Sequence, residues 1–283
     1  MLKKFWRSII VQITIAYATL TNTRIIICPG GIGDTVFVCM CLKTLRLKDN
    51  KHNIIVCKRF QKNLVQSFID NKRESVWISD RIMYSFMFCI NELGYQSFSN
   101  TYIYAHINEL NIEKYDSIVD RYAAILGLNS PIEVNYPNIT TIQKEKKESP
   151  YVIIAPYANS NDILLPSVFW EDLVSKFNIN GIVVYTNCGG DTEKEIVGSI
   201  RLNASLVDLY SIASGAKAIV AVRSGLCDWL ALSSSNLFVI NDPKWGKEWD
   251  LNNFSFNPVK YYSYNQVELD GMSNEIVSEV LNY

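Results

Sequence analysis

Short runs of β-branched residues recur along the chain, each followed by a stretch with helical spacing, and this alternation restricts it to an α/β fold. In the first half Arg24–Cys28, Asn53–Cys57, Ser75–Ile78 and Thr101–Ala105 read as strands. Helices are expected from Asp34 to about Leu47 and over Ile112–Leu126, the second ended by Gly127. Residues 128–150 then lose helical periodicity, carry prolines and end in a charged run, which suits an interdomain linker. Beyond it the grammar restarts. Strands are expected at Tyr151–Ala155, Gly181–Tyr185, Ala218–Val222 and Leu237–Ile240. Helices are expected at Pro166–Phe177, Ser205–Ser214, Ser224–Leu232 and about Ser273–Leu281, the third-from-last capped by Ser205 with Asp208 at the capping-box position. The expectation is two α/β domains, 1–140 and 141–283, with parallel sheets facing a cleft.

The chain is 283 residues long, enough for two such cores, and at 48% hydrophobic and 19% charged it has the composition of a globular protein. Its formal charge of -1 excludes a general nucleic-acid binder, whose footprint would be strongly basic. That near-zero value is a cancellation. Residues 1–144 carry a net +6 and residues 145–283 a net -7, and the first 81 residues alone carry +9. Two units with different partners are expected.

The seven cysteines are odd in number and lie in apolar runs; Cys39 and Cys41 form C-x-C without a second pair, and only His52 and His106 accompany them. Buried free thiols are expected, in a cytoplasmic protein, and no zinc site. Residues 1–20 begin with Lys3, Lys4 and Arg7 and continue apolar. Arg7, Gln12 and several hydroxyl residues interrupt the run, so neither a signal peptide nor a span is expected. An ordinary first helix and an interfacial helix in peripheral contact with a membrane both fit residues 1–20.

Three places carry candidate chemistry, all at carboxyl ends of expected strands, where open α/β sheets bind ligands. The first is Gly30-Gly31-Ile32-Gly33-Asp34. It is neither a dinucleotide fingerprint, since Val36 stands where the third glycine should, nor a P-loop. Asp34 there either caps the helix or stands free for chemistry at the mouth of the cleft. The second is Arg223-Ser224-Gly225-Leu226, with Asp228 following. Ser224 and Gly225 open a helix whose N–H groups suit an anion, and Arg223 either adds a cation with bidentate geometry for phosphate or is a surface residue beside an N-cap. The third comprises Tyr157 and Asn159 after one strand and Thr186 and Asn187 after the next, polar groups suited to a nucleotide. The sequence has no Asp-x-Asp pair to hold a metal–diphosphate.

On these motifs the chain resembles the bacterial glycosyltransferases of the heptosyltransferase type, glycosyltransferase family 9 and its relatives. The resemblance is carried by Ile25–Phe37 with its Gly30–Asp34 turn, by Ala204–Leu232 with its Ser-Gly turn, and by Tyr151–Phe177. Asp228 stands where that family usually has His, and Arg223 where it has Asp. The resemblance implies the GT-B fold, two Rossmann-like domains, the first binding an acceptor and the second a nucleotide-sugar donor. The last helix would pack back on the first domain. It implies a metal-independent, inverting transfer with Asp34 as general base and Tyr157, Asn159, Thr186, Asn187, Ser205, Arg223, Ser224, Gly225, Leu226 and Asp228 at the donor. The acceptor would be a glycan or lipid-linked precursor of lipopolysaccharide, O-antigen or capsule, at the cytoplasmic face of the inner membrane. A polysaccharide pyruvyltransferase and a non-catalytic nucleotide- or glycan-binding module are the alternatives.

Overall fold

In the computed structural model the described residues are 2–28, 30–93, 101–105, 115–129, 131–139, 149–158, 165–242, 249–264 and 269–283. The chain divides into two units, Met1–Asn138 and Ile139–Tyr283. In each, runs of apolar residues without polar alternation become strands buried on both faces, the condition that parallel sheets require.

The first unit opens with helix α1 (Leu2–Leu20) and strand β1 (Thr23–Ile27), every residue of which is buried. Helices α2 (Ile32–Met40) and α3 (Leu42–Lys48) lead to β2 (His52–Cys57), and a short helix α4 (Lys62–Gln66) to β3 (Glu74–Ile78). Helix α5 (Asp80–Leu93) precedes β4 (Tyr102–Tyr104), and α6 (Ile118–Ile125) follows it. The sheet is wholly parallel in the order β3-β2-β1-β4, with Ile25 opposite Ile54 and Tyr102. The chain therefore leaves β1 first to one side and later to the other, and the carboxyl end of β1 is the topological switch point where such sheets bind ligands.

The second unit contains β5 (Tyr151–Ala155), α7 (Ser167–Ile179), β6 (Val183–Asn187), β7 (Ile200–Leu202), α8 (Leu206–Ala213), β8 (Ala218–Val222), α9 (Gly225–Leu230), β9 (Asn236–Asn241), β10 (Val259–Ser263) and α10 (Leu269–Asn282). Its six parallel strands run β10-β9-β8-β5-β6-β7, the Rossmann order, with the switch point between β5 and β8. α10 packs on α7, contributing Met272, Ile276, Val277 and Val280 to the core around Phe169, Trp170 and Phe177.

Three expectations are corrected. The helix expected over 34–47 is two, because Asn135 takes the last carbonyls of α2: its N–H meets Met40 O at 2.8 Å and its Nδ2 meets Cys39 O at 3.2 Å. The same contact shows that residues 131–138 of the expected linker lie on the first unit, where Asn138 N also donates to Ser67 O at 2.6 Å. The helix expected from Ile112 begins instead at Ile118, since Ser117 is its N-cap and accepts from Asp120 N at 3.1 Å; residues 106–114 lie outside the described residues. All seven cysteines are free and buried.

A buried ion pair ties α3 to the start of β3. Glu74, whose side chain is 0% exposed, accepts from Arg46 Nε at 2.8 Å and from Asp70 N at 2.7 Å, while Arg46 also donates to Phe68 O. Removing one member leaves the other charge buried and unpaired. Arg46→Met is expected to destabilise the first unit by about 3–5 kcal/mol in denaturant unfolding followed by circular dichroism. A loss below about 1 kcal/mol, the range of an exposed pair, would show that the pair contributes no more than a surface one.

Candidate functional site

At the switch point of the first unit the chain turns through Gly30 and Gly31 into α2. Gly31 is the N-cap, in extended backbone, and Asp34 falls in the first helical turn, where the positive end of the helix favours a carboxylate. The turn is fixed through one carbonyl. Gly31 O accepts from Thr35 Oγ1 at 2.9 Å and from Gln61 Nε2 at 3.0 Å, and Gln61, fully buried, also donates to Thr35 Oγ1 and accepts from Lys58 N. The two glycines leave room for charge. A Cβ on Gly31 would stand 2.6 Å from Asp34 Oδ2, and one on Gly30 would stand 2.8 Å from Lys58 Nζ. A carboxylate and an ammonium thus fold over neighbouring residues of one turn, while Gly33 is buried in the helix.

The other oxygen of Asp34 has a partner. Tyr122 on α6 donates its hydroxyl to Asp34 Oδ1 at 2.5 Å, is itself wholly buried, and stacks on Phe37 of α2 with ring centroids 5.5 Å apart. Burial pushes the Tyr122 hydroxyl well above the usual phenol range, and the Asp34 charge pushes it further. The phenol therefore stays protonated and donates throughout the range in which proteins work. Lys58, Gln61 and Tyr122 all escape sequence reading. None stands in a motif, and Tyr122 in its apolar helix reads as a core residue; its role exists only because the sheet brings α6 beside α2.

In the second unit the residues after β8 form the counterpart. Ser224 is the N-cap of α9 in extended backbone, and Gly225 and Leu226 open the helix. Arg223, expected as a cation open to phosphate, is instead 2% exposed. Its NH1 donates to Ser224 O and its NH2 to Asp228 Oδ1, both at 2.7 Å. Burial works against its charge, and Asp228, 5% exposed in its side chain, outweighs it and holds the guanidinium above its ordinary value. The pair is internal and braces the turn, so neither member is presented to a ligand.

Tyr157 lies two residues past Ala155 and Arg223 two past Ala221, and those two alanines are register partners, so the turns after β5 and β8 flank the switch point together. Tyr157 donates to Lys194 O at 2.5 Å. Thr186, expected at the donor, is wholly buried, with its hydroxyl on Ser199 Oγ at 2.5 Å and Ile196 N at 3.2 Å, and it ties a loop down. Asn187 ends β6, half-buried. Ser205 caps α8, accepting from Asp208 N and donating to its carboxylate, so its hydroxyl serves the helix. Asn159 lies outside the described residues. Among the described residues no three His, Cys, Asp or Glu side chains converge as a metal site.

No family model and no curated protein matches the sequence. Solved structures do match in fold. The ADP-heptose lipopolysaccharide heptosyltransferase II of E. coli aligns at 13% identity over 92% of this chain and 99% of its own, with a TM-score of 0.67. A glycosyl transferase family 9 protein from Veillonella parvula aligns at 11% identity over 92% and 96%, with a TM-score of 0.65. The E. coli heptosyltransferase WaaC with ADP-2-deoxy-2-fluoro heptose aligns at 14% identity over 92% and 99%, with a TM-score of 0.56. Together with two wholly parallel sheets, this likeness establishes the architecture: the chain has the two-unit α/β fold of the GT-B glycosyltransferases.

Proposed function

We propose that this chain is a glycosyltransferase that moves a sugar from a nucleotide-sugar donor to a hydroxyl of a bacterial cell-surface glycan precursor, with Asp34 as general base. One observation carries the reading. Asp34 stands at the switch point of the basic unit with one oxygen held by Tyr122 and the other lying over a glycine, where an incoming hydroxyl meets no side chain of the turn. The shared fold with heptosyltransferases, one of them complexed with an ADP-heptose analogue, makes ADP-heptose the first donor to try.

In this reaction the acceptor oxygen attacks the anomeric carbon and its proton passes to Asp34 Oδ2. The new carbon–oxygen bond forms as the bond to the diphosphate breaks, and the nucleoside diphosphate leaves with that electron pair. A single displacement of this kind inverts the anomeric centre. The second unit receives the donor at the turns after β5 and β8. Backbone N–H groups of Ser224, Gly225 and Leu226 meet the diphosphate charge, in a turn that the Arg223–Asp228 pair shapes. The reading needs no metal, in keeping with a sequence that has no Asp-x-Asp pair.

Asp34→Asn is expected to lower transfer by about 10²–10⁴-fold while donor-induced thermal stabilisation is unchanged; full turnover in this variant would remove Asp34 from the role. Tyr122→Phe is expected to lower kcat about tenfold, the worth of one hydrogen bond to a charged group, with KM for the acceptor little changed. A change in KM alone would make Tyr122 a residue of binding and not of positioning. Arg223→Ala leaves Asp228 buried without its counter-charge, so it is expected to destabilise the second unit by about 3–5 kcal/mol and to weaken donor binding with it. Donor affinity that falls in a variant whose melting is unmoved would instead return Arg223 to direct phosphate contact. A thermal-shift screen of ADP-, UDP-, GDP-, dTDP- and CMP-sugars identifies the base, since a bound donor stabilises the fold by mass action. Turnover with that donor is expected to survive a chelator. Donor binding without transfer to any acceptor would point to a binding module.

A further inference from the structure

Helix α1 is apolar on two faces, and the first unit buries mainly one of them. Val11, Thr14 and Ala18 are buried, with Ile10 and Ile15 half-buried beside them, where α1 packs on α5 and β1. The outward face would be polar on an ordinary surface helix. Here it carries Trp6 at 56% exposure, Ile13 at 63% and Leu20 at 87%, with Phe5 at 61% alongside and Tyr17, at 43%, resting its ring on Trp77 at the edge of the face. Steps of seven, four and three residues put Trp6, Ile13, Tyr17 and Leu20 on one stripe along a helix roughly 28 Å long. Such a stripe in water asks for a cover.

Charge and side-chain type indicate the cover. From residue 2 to residue 20 there is no Asp or Glu, while Lys3, Lys4 and Arg7 stand at the end that bears Phe5 and Trp6. The Lys4 ammonium and the Arg7 guanidinium lie over the ring of Phe88 on α5, at 5.7 and 5.1 Å, so these two cations sit on the α5-facing side of the helix and give its N-terminal end a net positive field. Trp and Tyr suit the boundary between headgroups and acyl chains. The stripe belongs to a stretch of sequence that carries +9 over its first 81 residues. Among the described residues no helix is long and apolar enough to cross a bilayer, so α1 would lie along the surface and not through it.

We infer that α1 is an interfacial helix that docks the first unit on an anionic lipid surface through Phe5, Trp6, Ile13 and Leu20, with Tyr17 at the edge of that face. A second copy of the chain could meet the same stripe, but pairing two helices that each bear three cations and no acid leaves those charges uncompensated, whereas anionic headgroups neutralise them. The docking is independent of the transfer chemistry, and it gives a lipid-linked acceptor and the base at Asp34 a common surface.

The test is co-sedimentation of the full chain with vesicles of phosphatidylcholine containing about one third phosphatidylglycerol, without any sugar donor, so that failure here leaves the transfer reading untouched. Wild type is expected to pellet with these vesicles, and less with phosphatidylcholine alone or at high salt. Trp6→Ser, Ile13→Ser and Leu20→Ser lie outside the core, so they should leave the melting curve in place. Each is expected to lower the partition coefficient on the order of tenfold, the worth of one buried apolar side chain. Lys4→Gln with Arg7→Gln should weaken the lipid-charge dependence. Wild type that stays in solution, or a triple Ser variant that pellets as well as wild type, overturns the proposal. So does a dimer in sedimentation velocity that the triple Ser variant abolishes while wild type shows no vesicle binding.

Discussion

One proton, held by Tyr122 and offered to Asp34, joins the two halves of the first unit's candidate chemistry. It ties α6, the last helix of that unit, to α2, the first helix after β1, across 88 positions of sequence. Without it the Asp34 side chain would rotate in the first turn of α2 as any N-terminal acid does. With it, one oxygen is committed and the other is directed over Gly31. The arrangement depends on a chain of further constraints: Gln61 and Thr35 hold the Gly31 carbonyl, Phe37 holds the Tyr122 ring, and Ser117 sets where α6 begins.

The second unit answers the same topological demand differently. Its turn after β8 also lies at a switch point, but the charged residues there neutralise each other in the interior. A buried guanidinium with a carboxylate partner is a brace whose worth lies in what happens when one member is lost. Under the proposed reading the two turns would meet their ligands differently: through a charged side chain in the basic unit and through backbone N–H groups in the acidic one. The proposed division agrees with the halves of the charge distribution, since an acidic unit that is to bind a diphosphate would meet it with oriented peptide dipoles.

Most of the architecture was legible because it follows from burial. Ala218–Val222 and Tyr151–Ala155 are strands by run length and β-branching alone, and both occur with those bounds. Local chemistry was legible at Ser205, whose cap needs only its own neighbours. Long-range chemistry was not. The break between α2 and α3 comes from Asn135, which lies far along the chain, and Arg223 is a brace and not an open cation because Asp228, five residues on, points back at it. Helix α5 and strand β10 went unread because their polar and aromatic residues obscure the period that the fold supplies from outside.

The same distinction explains why α1 was ambiguous. Its sequence carries apolar residues on more than one side of the helix, which fits a helix packed on protein as well as one lying between protein and lipid. Only the position of α5 and β1 decides which residues are spent on the core, and that choice leaves Trp6, Ile13 and Leu20 outside. A pattern of residue types thus shows how much apolar surface a helix brings, while the packing shows how much of it the fold consumes. In α1 the fold consumes one face and leaves Phe5, Trp6, Ile13 and Leu20 exposed on a segment without any acid, and the proposed lipid docking rests on that remainder.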